Sequence, residues 1–551
     1  MAGKIIWDTR KNCSEYPAEI KKIYFGKYLK LRKEYTNWVG NISKPFANDI
    51  DWWVSIPSSR NPNFSKIYDY LCILETLKHL KSRELEIIIS SRSFLTVIRK
   101  SFKERKNFIF IYKKEKTKQN NLISYFKAIF FQILIYLIIK IFFKKDLSFL
   151  KNKTLINNYP NNDINKPERH FQFSKKFLKQ NFHKINFIPS FIPTKKIFNL
   201  IKIINLISKK NYFFKENILN FSDLFFAFFY VFRFKKFKAK YKNFNNYDLS
   251  SIIYDEIKNL KYYNACMIGI LNYKFVKKIS QKEIKIKKTF CWLENHEVRG
   301  WNLGFRNFYK NIKTCGYQGF TNLPQLMNTI PAKHEEKFKV IPELVVVSAK
   351  AYIKPRKEFF SKLKIQVGPA LVYKKVFENA KMKNTMMFLV ILTEVAHVNL
   401  NLIKWIQHSL KKNKNLYFTI KKPKILNVDK LINSLKFENN VKFTDRILTD
   451  LFKNTNYVIT SGPTGATLEA LAYNCKLLIP FTDPYDKKCL DSIKIPKKNY
   501  EIFQDKKEFS TFLSLLIDRN INKRQNKIKK FNNLRNFLFQ KVSKTNEKIF
   551  I

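Results

Sequence analysis

Residues 457–484 read YVITSGPTGATLEALAYNCKLLIPFTDP, and no other stretch narrows the choice of fold so far. A short apolar run, Tyr457 to Ile459, ends in Thr460-Ser461-Gly462-Pro463-Thr464-Gly465. An amphipathic segment from Ala466 to Tyr473 follows, and a second apolar run, Lys476 to Pro480, comes after Asn474. Strand, small-residue turn, short helix and strand make a βαβ unit, which requires a parallel sheet and hence an α/β fold. Ser461 and Gly462 suit an N-cap, and Pro463 suits the first helical position, where its missing N–H costs nothing. Such a helix start leaves backbone N–H groups unpaired, and anions bind there readily. Ser461, Gly462, Gly465 and Ala466 are small enough for a ligand to approach the backbone closely, and Glu469 lies within the first two turns, in reach of a ligand hydroxyl. The same residues also suit an ordinary tight turn of any open sheet.

The rest of the chain repeats the alternation of strand and helix. Lys4–Trp7, Asp51–Ile56, Leu85–Ile89 and Asn107–Tyr112 read as strands. A helix capped by Ser65 places Ile67, Leu71, Leu74 and Leu77 on one face. After Lys287, strands are expected at Thr289–Leu293 and Cys315–Gln318, with a helix over Trp301–Asn311. A second series follows: strands at Leu344–Val347, Ile365–Val367, Met386–Leu392, Leu416–Ile420 and Val441–Phe443, and helices over Val395–Leu410, Val428–Leu435 and Asp445–Lys453. The pattern divides into an N-terminal α/β domain at 1–340, a C-terminal α/β domain at 341–500 and a helical tail at 501–551. Residues 120–280 interrupt the first domain as a hydrophobic and basic insertion.

Within that insertion, Leu122–Phe143 (LISYFKAIFFQILIYLIIKIFF) is long enough to cross a bilayer, but Lys127, Gln132 and Lys140 break it. It reads as a monotopic helix, a transmembrane helix, or a helix buried against the fold or a partner. Phe221–Lys242 sets LFFAFFYVF beside RFKKFKAKYK, which suits an interfacial anchor or a core segment followed by a solvated charged face. Residues 146–220, rich in Asn and Lys, read as an irregular connection.

Composition bounds the partners. The 551 residues allow two to four domains, and 45% apolar content supplies real cores. The formal charge of +63 is spread along the chain rather than gathered into an arm, and no zinc-finger spacing or RNA-binding signature occurs. A basic surface of this kind favours an anionic membrane or phosphorylated ligands over nucleic acid. The seven cysteines form no CxxC pair, and the start MAGKIIWDTR lacks a signal-peptide core, so the cytoplasm is the expected compartment.

A second candidate site is Cys291-Trp292-Leu293-Glu294-Asn295-His296-Glu297. Glu294 and Glu297 fall where a strand gives way to a loop, the edge of an α/β sheet at which ligands bind. Either carboxylate suits a general base, and His296 between them is expected to titrate near neutrality. The plain alternative is a loop with solvated charges.

These segments resemble the GT-B glycosyltransferases, and more closely the bacterial surface-carbohydrate (O-antigen or lipopolysaccharide) biosynthesis proteins of that type. The resemblance lies in DWWVSIPSSRNPNFSKIYDYLCILE, in CWLENHE with GWNLGFRNFY, in CGYQGF, in VIPELVVVSAKAY with VGPALVY, and in the 457–484 unit. It implies two doubly wound Rossmann-like domains facing a cleft. It also implies transfer of a sugar from a nucleotide-activated donor to a lipid-linked or polysaccharide acceptor, peripherally on the inner face of the plasma membrane. Ser461, Gly462, Thr464, Gly465, Ala466 and Thr467 would hold the donor phosphates, and Glu469 its ribose or sugar. Lys422 would lend positive charge, and Glu294 or Glu297 would act as base. No resident cofactor or metal is implied, and the chain has no Asp-x-Asp motif. Three positions depart from the family pattern: Gly319 stands in place of His, Val372 in place of Arg, and Lys422 in place of a His before Pro. A nucleotide-sugar epimerase of the same architecture and a non-catalytic scaffold are the alternatives.

Overall fold

The computed structural model describes residues 4–80, 84–114, 121–160, 170–191, 197–259, 263–321, 324–378, 386–423, 426–429, 440–461, 464–521 and 534–551. Three sheets, all with parallel pairing, organise them. A small N-terminal sheet holds β1 (Ile5–Asp8), β2 (Leu85–Ile89) and β3 (Phe108–Tyr112) in that order.

The next sheet contains β4 (Thr154–Asn158), β5 (Ile185–Pro189), β6 (Lys288–Trp292), β7 (Lys313–Gln318), β8 (Leu344–Val347) and β9 (Ile365–Val367), ordered β5-β4-β6-β7-β8-β9. The last holds β10 (Met386–Ile391), β11 (Phe418–Lys421), β12 (Val441–Thr444), β13 (Thr455–Ile459), β14 (Lys476–Pro480) and β15 (Tyr500–Phe503), ordered β12-β11-β10-β13-β14-β15. In both six-stranded sheets the chain winds outward one way, returns to the middle and winds outward the other way. This is the doubly wound, Rossmann-like topology, and its switch points lie between β4 and β6 and between β10 and β13. The α/β class and the two Rossmann-like sheets read from the sequence are therefore present.

Several boundaries differ from the sequence reading. Residues 120–280 are not an insertion, because β4 and β5 lie inside that range and pair with each other and with β6. The Asn-rich composition of 146–220 conceals two strands whose every residue is buried. The first six-stranded sheet also runs past 341, since β8 pairs with β7 and β9 with β8. Asp51–Ile56 is no strand: Asp49 caps a helical turn over Ile50–Trp53 by accepting the Asp51 N–H at 3.0 Å, and Trp52 and Trp53 are both fully buried. Alternation cannot be read from a run that is buried on every side. The helix expected at Trp301–Asn311 spans Val298–Phe308, and the one at Asp445–Lys453 shrinks to Leu448–Phe452. Most of the helix expected at Val428–Leu435 lies outside the described residues.

Nor is 501–551 an appended tail. After β15 and a helix at Lys506–Ile521, residues 534–551 return to the first six-stranded sheet. Gln540 bridges Ser348 and Ala370 through backbone hydrogen bonds of 2.8 Å each, and Phe550 is buried among Phe171, Phe290 and Tyr317. The chain's end is thus part of that sheet's core.

The loop after β6 is set by a close helix crossing. The helices Tyr263–Gln281 and Val298–Phe308 meet at Gly269 and Gly300, where a Cβ on Gly300 would stand 1.8 Å from the Gly269 carbonyl oxygen. Only glycine permits that approach.

A buried charge triad joins the N-terminal lobe to this sheet. Glu335 accepts from Arg60 Nη2 at 2.6 Å and from Arg299 Nη2, and all three side chains are at most 5% exposed. Burial works to raise the Glu335 carboxyl, but Arg60 and Arg299 outweigh it and hold it below its ordinary range. Removing the acid leaves two buried cations unpaired, so Glu335→Ala is expected to lower the unfolding free energy by about 3–5 kcal/mol in denaturant titration. A depressed acid contributes above its unfolded pKa of about 4.3 and loses that contribution as pH falls through the folded value. The wild type's advantage over Glu335→Ala should therefore be full at neutral pH and shrink below about pH 4.

Candidate active site at the strand ends

The turn after β13 sits at the switch point of the second six-stranded sheet. Val458 and Ile459 are fully buried between β10 and β14, and the Thr460 N–H extends the ladder to the Leu478 carbonyl at 3.3 Å. Ser461 does not cap the helix as its sequence position suggests. Its hydroxyl donates to the Pro480 carbonyl at 3.0 Å and bonds the Thr482 hydroxyl, tying the turn to the end of β14. Gly462 and Pro463, expected at the cap and the first helical position, lie outside the described residues. The N-cap is Thr464, whose Oγ1 accepts the Ala466 N–H at 3.0 Å, and the helix runs Gly465–Ala472. Ala466 and Thr467 are buried. The hydroxyls of Thr460 and Thr467 flank the turn, buried and without a partner among the described residues. An unsatisfied buried hydroxyl costs about 1–3 kcal/mol, so these two mark a place that a polar ligand or ordered water completes.

Glu294 reaches this turn from the other six-stranded sheet. It follows β6, is half-buried, and accepts the Phe320 N–H at 3.1 Å through Oε1. Burial pushes its carboxyl up to about 8, against the opposing pull of the Arg356 guanidinium and the Phe320 N–H. Arg356 is itself buried, hydrogen-bonded to the Gln318 side chain, the Thr329 carbonyl and, at 2.7 Å, the Thr329 hydroxyl. Tyr373 and Thr321 stand beside the turn. A Cβ on Gly465 would lie 3.2 Å from the Tyr373 hydroxyl and 3.3 Å from Thr321 Oγ1. Glu469, half-buried on the Gly465–Ala472 helix, and Glu294 both act electrostatically on Tyr373 and raise its hydroxyl, after burial, which acts most.

The remaining candidates lie elsewhere. Glu297 is three residues from Glu294 but turns to the opposite side, toward Tyr159 at the end of β4 and the buried Lys215. Burial pushes its carboxyl up to about 6. Lys215, whose ammonium burial pulls down to about 8, donates to Ser190 Oγ at 2.9 Å and Asn272 Oδ1 at 3.0 Å. His296 does not titrate near neutrality: burial, with Arg299 adding to it, pushes the ring down to about 3. Lys422 follows β11, with β10 between that strand and β13, and its ammonium pairs with Asp429 at 2.9 Å. The arrangement thus brings together Glu294, Thr464, Gly465, Ala466, Thr467 and Glu469, and sets Glu297 and Lys422 apart. The sequence reading missed Thr321, Arg356 and Tyr373. Tyr373 closes the VGPALVY segment already singled out, but nothing in its spacing shows that it faces Gly465.

No protein-family model matches the sequence, and no curated protein matches it. Solved structures give likenesses of fold. The chain is similar to an MnaA–UDP complex of S. aureus, with 12% identity over 72% of this chain and 94% of that one and a TM-score of 0.40. It is also similar to the glycotransferase of kitacinnamycin (9% identity, 70% and 95% covered, TM-score 0.39). A third likeness is to a mutant of S. aureus TarM in complex with fondaparinux, alpha-GlcNAc-glycerol and UDP (15% identity, 50% and 54% covered, TM-score 0.32). The chain spans about half the length of that TarM protein.

The tight seat of Gly465 is open to direct test. In denaturant titration Gly465→Ala should be better tolerated, by about 1 kcal/mol, in a Tyr373→Phe background than in the wild type, because removing the nearer oxygen relieves the crowding of the new methyl.

Proposed function

We propose that this chain is a GT-B-type glycosyltransferase that moves a sugar from a nucleotide-activated donor to a lipid-linked or polysaccharide acceptor in surface polysaccharide synthesis. The observation that carries this reading is the half-buried Glu294 carboxyl, pushed up to about 8 and acting, with Glu469, on the Tyr373 that stands beside the Gly465 helix start. A helix start favours the diphosphate of a donor, and the unpartnered hydroxyls of Thr460 and Thr467 supply further donors beside it. Glu469 suits a ribose or sugar hydroxyl. With the donor seated there, Glu294 takes the proton from an acceptor hydroxyl as its oxygen bonds the anomeric carbon. The sugar–phosphate bond breaks, and the electron pair leaves on the nucleotide, whose charge the helix start and its hydroxyls offset. No metal or further cofactor is assigned a part in this reading.

A base is active when deprotonated, so kcat/KM should rise with pH up to about pH 8 and level off above it. Nucleotide release from a panel of nucleotide sugars, with membrane lipid present, measures this. Glu294→Gln should lower turnover about 10²–10⁴-fold and abolish the rising limb while leaving nucleotide affinity nearly unchanged. Glu469→Ala should instead weaken nucleotide-sugar binding in calorimetry. Conversion of the donor sugar without nucleotide release would point to an epimerase, and absence of both reactions to a scaffold.

The same proposal places the chain on the inner face of the plasma membrane. The Asn121–Phe142 helix buries one face through Phe131, Ile135 and Ile139, which join the core of the first six-stranded sheet, and presents the other outward. Phe126, Phe130, Ile141 and Phe142 are 59%, 65%, 63% and 70% exposed. Tyr136 joins this helix to Phe221 at 4.8 Å between ring centroids, and the outward Phe225 and Phe229 rings stack at 5.8 Å. Exposed Lys127, Lys144, Lys235, Lys236 and Lys238 lie in or beside the same two segments. A helix so embedded on one side fits an in-plane position, with apolar side chains in the lipid and lysines at the headgroups. In flotation assays the protein should bind vesicles containing phosphatidylglycerol. Phe126→Ser with Phe130→Ser should reduce that binding at least roughly tenfold, given about 1.5–3 kcal/mol per buried Phe. Equal flotation of both forms would remove this face from membrane binding.

A further inference from the structure

A cavity of about 450 Å³ lies where the N-terminal lobe meets the second six-stranded sheet. The lobe contributes the loop after β1, Tyr16, Tyr24, Tyr28 and Asp69; the sheet contributes Thr393 and Val395 after β10, and Asp483 to Tyr485 after β14. Carboxyl ends of strands from two parallel sheets therefore converge on one space, next to the β10–β13 switch point.

The lining is specific in kind. Tyr16, Tyr24, Tyr28 and Tyr485 form a continuous run of rings crossing from one body to the other, with centroids 5.3, 5.5 and 5.6 Å apart in that order. Two carboxylates face the same space from opposite bodies. Asp69 accepts from the Tyr24 hydroxyl at 3.3 Å, and Asp483 accepts the Tyr485 N–H at 2.7 Å. Both act electrostatically on Cys13, which lines the cavity with them. Aromatic surface with a few placed acceptors suits a ring carrying C–H faces and hydroxyl edges. The wall also carries Lys11, Arg10 and Lys66; Arg10 pairs with Asp8 at 2.7 Å and Lys66 with Asp69 at 3.3 Å, so charged groups of both signs are available to sugar hydroxyls. The cavity and the Gly465 helix start are neighbours, because Asp483 follows Thr482, whose hydroxyl bonds Ser461 at the foot of the donor turn. Gln325, on the loop that also carries Thr321 and Phe320, completes the wall and links the cavity to the Glu294 side.

We propose that this cavity is a saccharide-binding subsite, gripping hydroxyl-rich sugar units of the acceptor between the tyrosine run and the Asp69 and Asp483 carboxylates. Only the word acceptor rests on the sugar-transfer reading; saccharide binding stands or falls without it.

The test is an array of neutral and acidic mono- to tetrasaccharides probed with labelled full-length protein, with and without saturating UDP. At least one saccharide should bind. The near-isosteric Asp69→Asn and Asp483→Asn variants should each weaken that binding roughly tenfold or more, as expected for a lost charge-assisted hydrogen bond. Val395→Trp, at a 43% exposed position on the rim, should block it by filling the mouth without disturbing a core. Nucleotide affinity measured by calorimetry should stay unchanged in all three. Absence of saccharide binding by the wild type, or undiminished binding by the three variants, would overturn the proposal. Loss of nucleotide binding in Thr467→Val, with saccharide binding intact, would bear on the donor turn alone.

Discussion

Arg32 is the point on which the three bodies of this protein are hung. Its guanidinium is 1% exposed and belongs to the N-terminal lobe. Nε and Nη2 donate to the two oxygens of Glu358 at 2.8 and 2.9 Å, while Nη1 donates to the Pro324 carbonyl at 2.7 Å and the Tyr485 hydroxyl at 2.8 Å. Glu358 and Pro324 come from the unit built on the first six-stranded sheet, and Tyr485 from the second. Burial works to lower the Arg32 pKa, but Tyr485 and Glu358 outweigh it and raise the guanidinium above its ordinary value. A buried cation tolerates no missing partner, and the planar fork fixes the direction of each bond. One side chain thereby ties three sheets together, and the Glu335 triad adds a second link between two of them. The saccharide cavity, whose wall includes Tyr485, and the cleft beside Pro324 both inherit their shape from these links.

With 105 basic residues against 42 acidic ones, the acids become informative. Three hold arginines in long-range pairs: Glu335 between Arg60 and Arg299, Glu358 on Arg32, and Asp51 on Arg233 at 2.7 and 2.8 Å. Glu294 differs. It is half-buried and accepts the Phe320 N–H, with the Trp292 side chain also acting on it, while Arg356 acts on it through space rather than as a paired cation. A carboxyl kept neutral in that way costs little at pH 7 and becomes a strong base once deprotonated, the balance that proton abstraction near neutrality requires.

The legible part of the sequence was the part governed by local periodicity. Strands such as Leu85–Ile89 and Met386–Ile391 announce themselves as apolar runs, and the β13–turn–helix–β14 unit was readable to within a residue or two because glycine, proline and small side chains have few other uses. Residues 146–220 were not, because Asn157 and Asn158 sit fully buried in β4 and Asn186 in β5, where hydropathy argues against a strand. Charge partners hundreds of residues apart, such as Arg32 with Glu358, leave no local trace at all. At the site, the type of residue was legible and its direction was not. Ser461 looks like a cap and is a strut to β14, while the cap falls on Thr464.

The pair Glu294 and Glu297 shows why direction decides function. Three residues apart on a loop leaving the switch point between β4 and β6, they fall on opposite sides of that point. Glu294 leans toward β7; Glu297 sits at the N-cap position of the Val298–Phe308 helix without a side-chain capping bond and leans toward Tyr159 after β4. What separates them is the contact of Gly269 with Gly300, which draws the helix against its neighbour and forces the loop to turn immediately after Trp292. The second switch point carries the matching half of the site, since Thr464 and Gly465 follow the strand beside β10. Two sheets of the same topology thus carry the two halves of the candidate site at their switch points, one offering a half-buried carboxyl and the other a helix start. The Ser461–Thr482 bond then makes the helix start and the tyrosine-lined cavity parts of one continuous edge. A ligand long enough to reach from Asp69 past Asp483 to Glu294 would touch all three bodies, which is a physical reason for a buried arginine to tie them together.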